Sequence, residues 1–166
     1  MAAPTTKAGP ALNIFYVDAD PVRAARDLAD QHVTKMTLES VQLLASAHHL
    51  SGTATPDLPK LTHRNHPCAK WVRSSIRNYR WLARHAVALA DEFERRYGHP
   101  HSWADLAKKL AASEPPLPDV PFSEPPQAMP DECRVDGDCV AAYRKYYKDE
   151  KSRFARWIHS PPPGWW

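Results

Sequence analysis

Glycine is scarce in this chain, with five among 166 residues against 17 prolines. That imbalance excludes functions built on glycine backbones: phosphate-cradling loops, dinucleotide fingerprints and flexible Gly/Ser linkers. Apolar runs are short as well. None approaches the ~18 residues that a membrane-spanning helix needs. The three cysteines, Cys68, Cys133 and Cys139, are odd in number and form no Cys-x-x-Cys pair. A disulfide framework and a zinc ribbon are both set aside, and neither a metal site nor a cofactor is expected. Residues 1–13 hold no apolar segment of secretory type, so a cytosolic setting is the expectation. What the chain does hold is 43% apolar residues, nine histidines, six tryptophans and a net charge of +3. That suits one domain with one modest core.

Residues 1–12 read as a loose arm, 13–160 as one helical domain and 161–166 as a Pro/Trp tail. After the apolar run Ile14–Val17, Asp20-Pro21 gives an N-cap followed by proline at the first helical position. No helix breaker intervenes before Ser51-Gly52, and Ala25, Ala29, Val33, Met36, Leu43, Leu44 and Ala47 fall on one stripe. One helix is therefore expected from Pro21 to about Leu50. A second should start near Pro67 and stop at Gly98, and a third should run from about Ser102 to Ala112. Residues 114–130 contain seven prolines and are expected to lie over the helices as an extended strap. A last helix is expected from about Asp138 to Trp157. The fold class is all-α, with three to five helices.

On the first helix, His32, Lys35, Glu39 and Gln42 project within about 80° of one another, beside the apolar stripe. An imidazole, an amine and a carboxyl on one partly buried flank can move protons or attack an electrophile. The same residues also fit an ordinary Lys35–Glu39 pair with His32 at its edge. The second helix carries a row of cations, Arg73, Arg77, Arg80 and Arg84, extended by Lys70. Residues 60–97 hold nine Lys/Arg against three acids. No acid stands at i±4 across Arg73–Arg84, so the row is free to grip phosphates, and Lys145 could extend that footprint. A solvated helix face explains the row equally well. His63, His66 and Cys68 match no standard metal spacing and read as a loop capping the second helix.

Leu28-Ala29-Asp30-Gln31-His32, followed after seven residues by Glu39, resembles the first catalytic helix of the phage endonuclease V family of pyrimidine-dimer DNA glycosylases. The Tyr143–Tyr147 cluster is similar to an aromatic cluster near that family's C-terminus. The pattern from Asn13-Ile14-Phe15 through Asp20-Pro21, Asp30, His32, Lys35-Met36 and Glu39 also resembles a longer group of uncharacterised viral proteins. The resemblance implies a compact all-α fold, a DNA substrate, an acid/base role for Glu39 and a supporting role for His32. Two departures stand out. The family attacks with the α-amine of an N-terminal threonine, whereas about a dozen residues precede the matching segment here. The amine would then come from a processed terminus such as Ala2, or from Lys35. Leu38 and Gln42 occupy the places of the family's flanking arginines, so phosphate binding would pass to the Arg73–Arg84 row.

Three functions are compatible with these features. The first is a DNA glycosylase, with or without lyase activity, acting on a flipped pyrimidine. The second is a virus-encoded transferase that hypermodifies a DNA pyrimidine. The third is a non-catalytic helical DNA-binding module. All three take DNA as the partner, and none involves a membrane.

Overall fold

The computed structural model describes residues 12–166. The expected arm, including an amine at Ala2, lies outside the described residues except for Leu12, which is buried. The described chain is all-helical: α1 (Pro21–Asp27), α2 (Asp30–Leu50), α3 (Pro67–Ser74), α4 (Ile76–Tyr97), α5 (Ala104–Ala112) and α6 (Cys139–Glu150), with a 3₁₀ turn at Asp131–Cys133. The centre is α4, which packs against α1, α2, α3 and α5. Leu12–Val17 is a buried non-helical thread. Phe15 meets α2 and α6 through His32 and Tyr143, and Tyr16 meets Trp81 of α4. No described helix is long and apolar enough to cross a membrane.

The structure has six α-helices rather than three to five, because two expected helices are each broken once. The first break falls at Leu28 and Ala29, both extended. No local breaker causes it. Tertiary partners replace the missing helical hydrogen bonds instead. The Arg96 guanidinium donates to the carbonyls of Arg26 and Leu28, the Ala29 N–H donates to the Tyr147 hydroxyl, and the Asp30 N–H donates to the Arg156 carbonyl. The second break falls at Ser75. Its hydroxyl accepts from the Arg77 N–H and donates to the Val120 carbonyl, while the Ile76 N–H donates to Pro118.

Pro118 and Val120 belong to the expected strap, which is extended and lies across α3 and α4. The Ser123 carbonyl accepts from the Trp71 indole, and the Asn78 side chain both receives from and donates to Ser123. Farther on, the carbonyls of Pro126 and Ala128 accept from the Tyr143 hydroxyl and the Asn13 amide. The strap thereby ties the N-terminal thread to α6. His66 caps α3 by accepting the Cys68 N–H, in line with a capping role for that loop. Gly98 ends α4 in the left-handed conformation. The last helix stops at Glu150, short of the expected Trp157. A turn at 151–155 then brings Lys151 and Phe154 back against α2.

The Pro/Trp tail folds back onto the domain. The Trp165 indole donates to the Asp27 carboxylate at 2.9 Å, and Trp157, Trp165 and Trp166 surround Tyr147. The end of α1, the start of α2 and α4 meet at Arg96, whose side chain is fully buried and pairs with Asp30 and Glu92. Arg96→Met is expected to take from Asp30 its ion-pair partner, leave Glu92 with Arg95 alone, and strand two carbonyls. Urea unfolding should show a loss of about 3–5 kcal/mol, whereas a loss under 1 kcal/mol would contradict this role.

Candidate active site

The site begins with a strained residue. Phe15 has φ of +57°, a left-handed conformation that bulky side chains avoid. Such a conformation costs about 1–3 kcal/mol and persists only where surrounding contacts enforce it. Here the Asn13 side-chain oxygen accepts the N–H groups of Ile14 and Phe15, and the Asn13 amide is anchored on Ala128. The result holds the Phe15 ring between His32 (centroids 4.4 Å apart) and Tyr146 (5.9 Å), both stacked.

These three rings form part of a cavity of about 220 Å³, completed by Asn13, Lys35, Met36, Ala128 and Lys151. His32 and Lys35 come from α2, one turn apart. Tyr146 comes from α6, and Lys151 from the turn after it. The Lys151 ammonium lies 4.9 Å from the Tyr146 ring centre, 5.8 Å from that of Phe154 and 5.9 Å from that of Phe15. Among the described residues it forms no ion pair.

Glu39 lies one turn beyond Lys35, and only 5% of it is exposed. Its Oε2 accepts the backbone N–H of Asn13 at 3.3 Å, at the wall of the cavity. Burial raises its pKa, while Lys35, the Asn13 hydrogen bond and Lys151 lower it. Burial dominates, and the carboxyl is pushed up to about 7. The neighbouring Cys68 thiol is pushed up to about 12, by burial and then by Glu39. His32 moves the other way, down to about 3, through burial and then the charges of Lys151 and Lys35. Its Nδ1 lies 2.8 Å from the Tyr147 hydroxyl. Near neutral pH the site therefore holds a neutral imidazole, a carboxyl poised between its two forms and two lysines.

Of the four residues proposed from the first helix, His32 and Lys35 line the cavity and Glu39 sits behind Asn13. Gln42 is half-buried and does not border it. The basic row lies elsewhere, and none of Lys70, Arg73, Arg77, Arg80, Arg84 and Lys145 lines this cavity. The row is also less free than its spacing suggests. Arg77 pairs with Asp119 at 3.1 Å and Arg80 with Glu114, both acids of the strap. The Arg73 guanidinium donates to the Arg64 carbonyl, and the Lys145 amine donates to that of Glu132. Lys70 and Arg84 are exposed, and neither forms an ion pair among the described residues. Arg84 opens onto a separate groove of about 460 Å³ with Val22, Arg26, Val87 and Arg95.

Sequence reasoning missed Asn13, Phe15, Tyr146 and Lys151 as site residues. Asn13 and Phe15 belong to the pattern shared with the viral group, which was the available signal. Lys151 had none, because extending a helix to Trp157 points it along the wrong axis. The raised Glu39 pKa has a thermodynamic consequence. Between about pH 4.5 and 7 the folded chain keeps a proton on Glu39 that the unfolded chain has lost. This contribution to stability is present below pH 4.5 and is lost as pH rises through about 7. Glu39→Gln keeps the shape without ionising. In urea unfolding it should match wild type at acid pH and exceed it by about 2–3 kcal/mol near pH 8. Identical pH dependences would contradict the assignment.

A sequence model of the pyrimidine dimer DNA glycosylase family matches residues 12–105, more than half of the chain. The match takes in the buried thread, His32, Lys35 and Glu39, and ends before the strap, α6 and the turn that carries Lys151. Comparisons with curated proteins and with solved structures gave no match. With the match spanning α1 to α4 and the α2 half of the cavity, the chain belongs to the pyrimidine dimer DNA glycosylase family.

Proposed function

We propose that the protein excises a damaged pyrimidine from DNA, with a pyrimidine dimer as target, and that an enzyme amine attacks the sugar carbon C1′. The observation that carries this reading is the buried Glu39 carboxyl, poised near 7 and held behind Asn13 in the wall of a cavity that Lys35 lines. A general acid/base works best when its pKa lies near the operating pH. Glu39 would take the proton shed by the amine and return it later in the cycle. The attack replaces the glycosidic bond with a C1′–N bond, and opening of the sugar ring then gives an imine that supports strand cleavage. At about 220 Å³ the cavity is smaller than the ~300–1,000 Å³ of ordinary small-molecule sites. It suits one base or one sugar drawn out of the duplex, not a whole dinucleotide.

Two amines compete for the nucleophilic role. Lys35 lines the cavity directly. The main chain also enters there, with the nitrogen of Asn13 on Glu39, so a chain processed close to Asn13 would present its α-amine to the same carboxyl. The exposed cations of the α3–α4 row would hold the DNA backbone. Phosphates would displace the exposed strap carboxylates from Arg77 and Arg80, since solvent screens such pairs.

Borohydride reduction in the presence of a duplex with one site-specific dimer tests the covalent route. Wild type should give a trapped protein–DNA adduct, and Glu39→Gln should lower its yield by about 100-fold or more. Loss of the adduct in Lys35→Ala would assign that amine. An adduct retained there and mapped to the N-terminal peptide would assign the main chain. Absence of both base release and adduct would overturn the reading. Nucleoside mass spectrometry separates base loss from addition of a group to the base, which is the outcome a DNA-modifying transferase would give. Charge reversal at Arg77 and Arg80 together should weaken DNA binding and flatten its salt dependence. Single-turnover rates at saturating DNA should not change, and an unchanged salt slope would exclude the row from the interface.

A further inference from the structure

His32 is 4% exposed, lines the cavity, and makes its one hydrogen bond through Nδ1. The partner, the Tyr147 hydroxyl, has a second neighbour. It accepts the Ala29 N–H at 2.8 Å, and a backbone N–H can only donate. A hydroxyl has one proton to give. With Ala29 already donating, that proton goes to His32 Nδ1; otherwise it would be buried without an acceptor, a costly arrangement. Nδ1 is therefore the acceptor, and the ring proton sits on Nε2, which has no partner among the described residues. The ring cannot turn away. Phe15 stacks on one face, and Tyr147 and Phe154 meet it edge-on at 5.3 Å.

The groups facing this imidazole do not favour an imidazolium. Lys35 comes from its own helix, Tyr146 and Tyr147 from α6, and Lys151 from the turn beyond, while the N-terminal thread offers Phe15 and Asn13. The nearby carboxyl, Glu39, is itself held toward its neutral form by burial. A neutral N–H donor beside a fixed ammonium is suited to an oxygen that gains negative charge during reaction, because it stabilises that charge without giving up its proton.

Resting on the base-excision reading, we propose that His32 is the electrophile of the excision step, donating its Nε2–H to the carbonyl oxygen beside the glycosidic nitrogen of the departing pyrimidine. As the C1′–N bond of the nucleotide breaks, its electron pair passes to the base nitrogen and onto the adjacent carbonyl oxygen. The amine lone pair closes on C1′, and the proton that the amine sheds goes to the Glu39 carboxylate. His32 Nε2–H and the Lys151 ammonium hold the pyrimidine anion until it takes that proton from Glu39. Tyr147 is a positioning residue, fixing which ring nitrogen carries hydrogen.

Imidazole ¹⁵N NMR on the full chain tests the assignment without DNA. His32, identified by the signal missing from His32→Gln, should remain a neutral Nε2–H tautomer from about pH 8 to 4.5. Its tautomer differs from that of buried His85, which donates from Nδ1 to the Pro21 carbonyl, and the missing signal in His32→Gln separates it from buried His48, whose Nε2 faces the Tyr79 hydroxyl. Tyr147→Phe should release His32 into a tautomer mixture. In single-turnover base release from a dimer-containing duplex, His32→Gln, which retains an N–H donor, should stay within about tenfold of wild type. His32→Leu should lose about 100-fold or more with DNA affinity unchanged. A His32 that carries its proton on Nδ1 or titrates as an ordinary imidazole would overturn the proposal, as would a His32→Leu enzyme at the wild-type rate. Those outcomes leave base excision standing, whereas a wild type that releases no base would overturn both.

Discussion

The structure depends on a guanidinium held out of water. Arg96 is fully buried at the junction of α1, α2 and α4, and it remains there because each of its needs is met. Two carboxylates, Asp30 and Glu92, balance its charge, and the carbonyls of Arg26 and Leu28 take further donors. Burying a charge without such partners would cost several kcal/mol. The network also stops α1, since the carbonyls that would continue it point to Arg96. Asp30 is thereby fixed at the head of α2, where its second oxygen accepts the Ile158 N–H and draws in the C-terminal segment. The break leaves the Ala29 N–H free for Tyr147, which in turn reaches His32. One buried ion cluster thus sets the geometry of the cavity.

Within the cavity, desolvation and positive charge act in opposite senses on Glu39 and in the same sense on His32. Burial favours the neutral form of both groups. The lysines oppose it at the carboxyl and reinforce it at the imidazole. The two groups consequently part company: one titrates near neutrality and the other remains uncharged. A pair pushed apart in this way can divide the labour of a reaction, one group moving protons and the other steadying charge.

The sequence displays what is local and periodic. The Ala25–Ala47 stripe, the Asp20-Pro21 start, the Gly98 stop and the proline strap all follow from rules acting over a few residues. The flank shared by His32, Lys35 and Glu39 follows from helical spacing. The break at Ala29 has no local cause, because the hydrogen-bond partners there are Tyr147 and Arg156, far away in the chain. At Ser75 the hydroxyl caps Arg77 locally, but the partners that hold the break open, Pro118 and Val120, are again distant. For the same reason the strap's hold on Arg77 and Arg80 was not legible, since opposing acids were sought on the same helix. Lys151 reaches the cavity only because α6 stops at Glu150. The family match ends at residue 105, so the wall formed by Ala128, Tyr146 and Lys151 lies beyond it.

The central claim is that chemistry occurs in the cavity between α2 and the turn after α6, and that the cations of α3 and α4 only hold the DNA backbone. A crystal structure of the borohydride-trapped complex with a dimer-containing duplex measures this directly. The account predicts continuous density from the sugar C1′ to an amine nitrogen beside Glu39, with His32 and Lys151 facing the vacated base position. A nucleotide bound instead in the groove at Arg84, with the α2 cavity closed and dry, would contradict it.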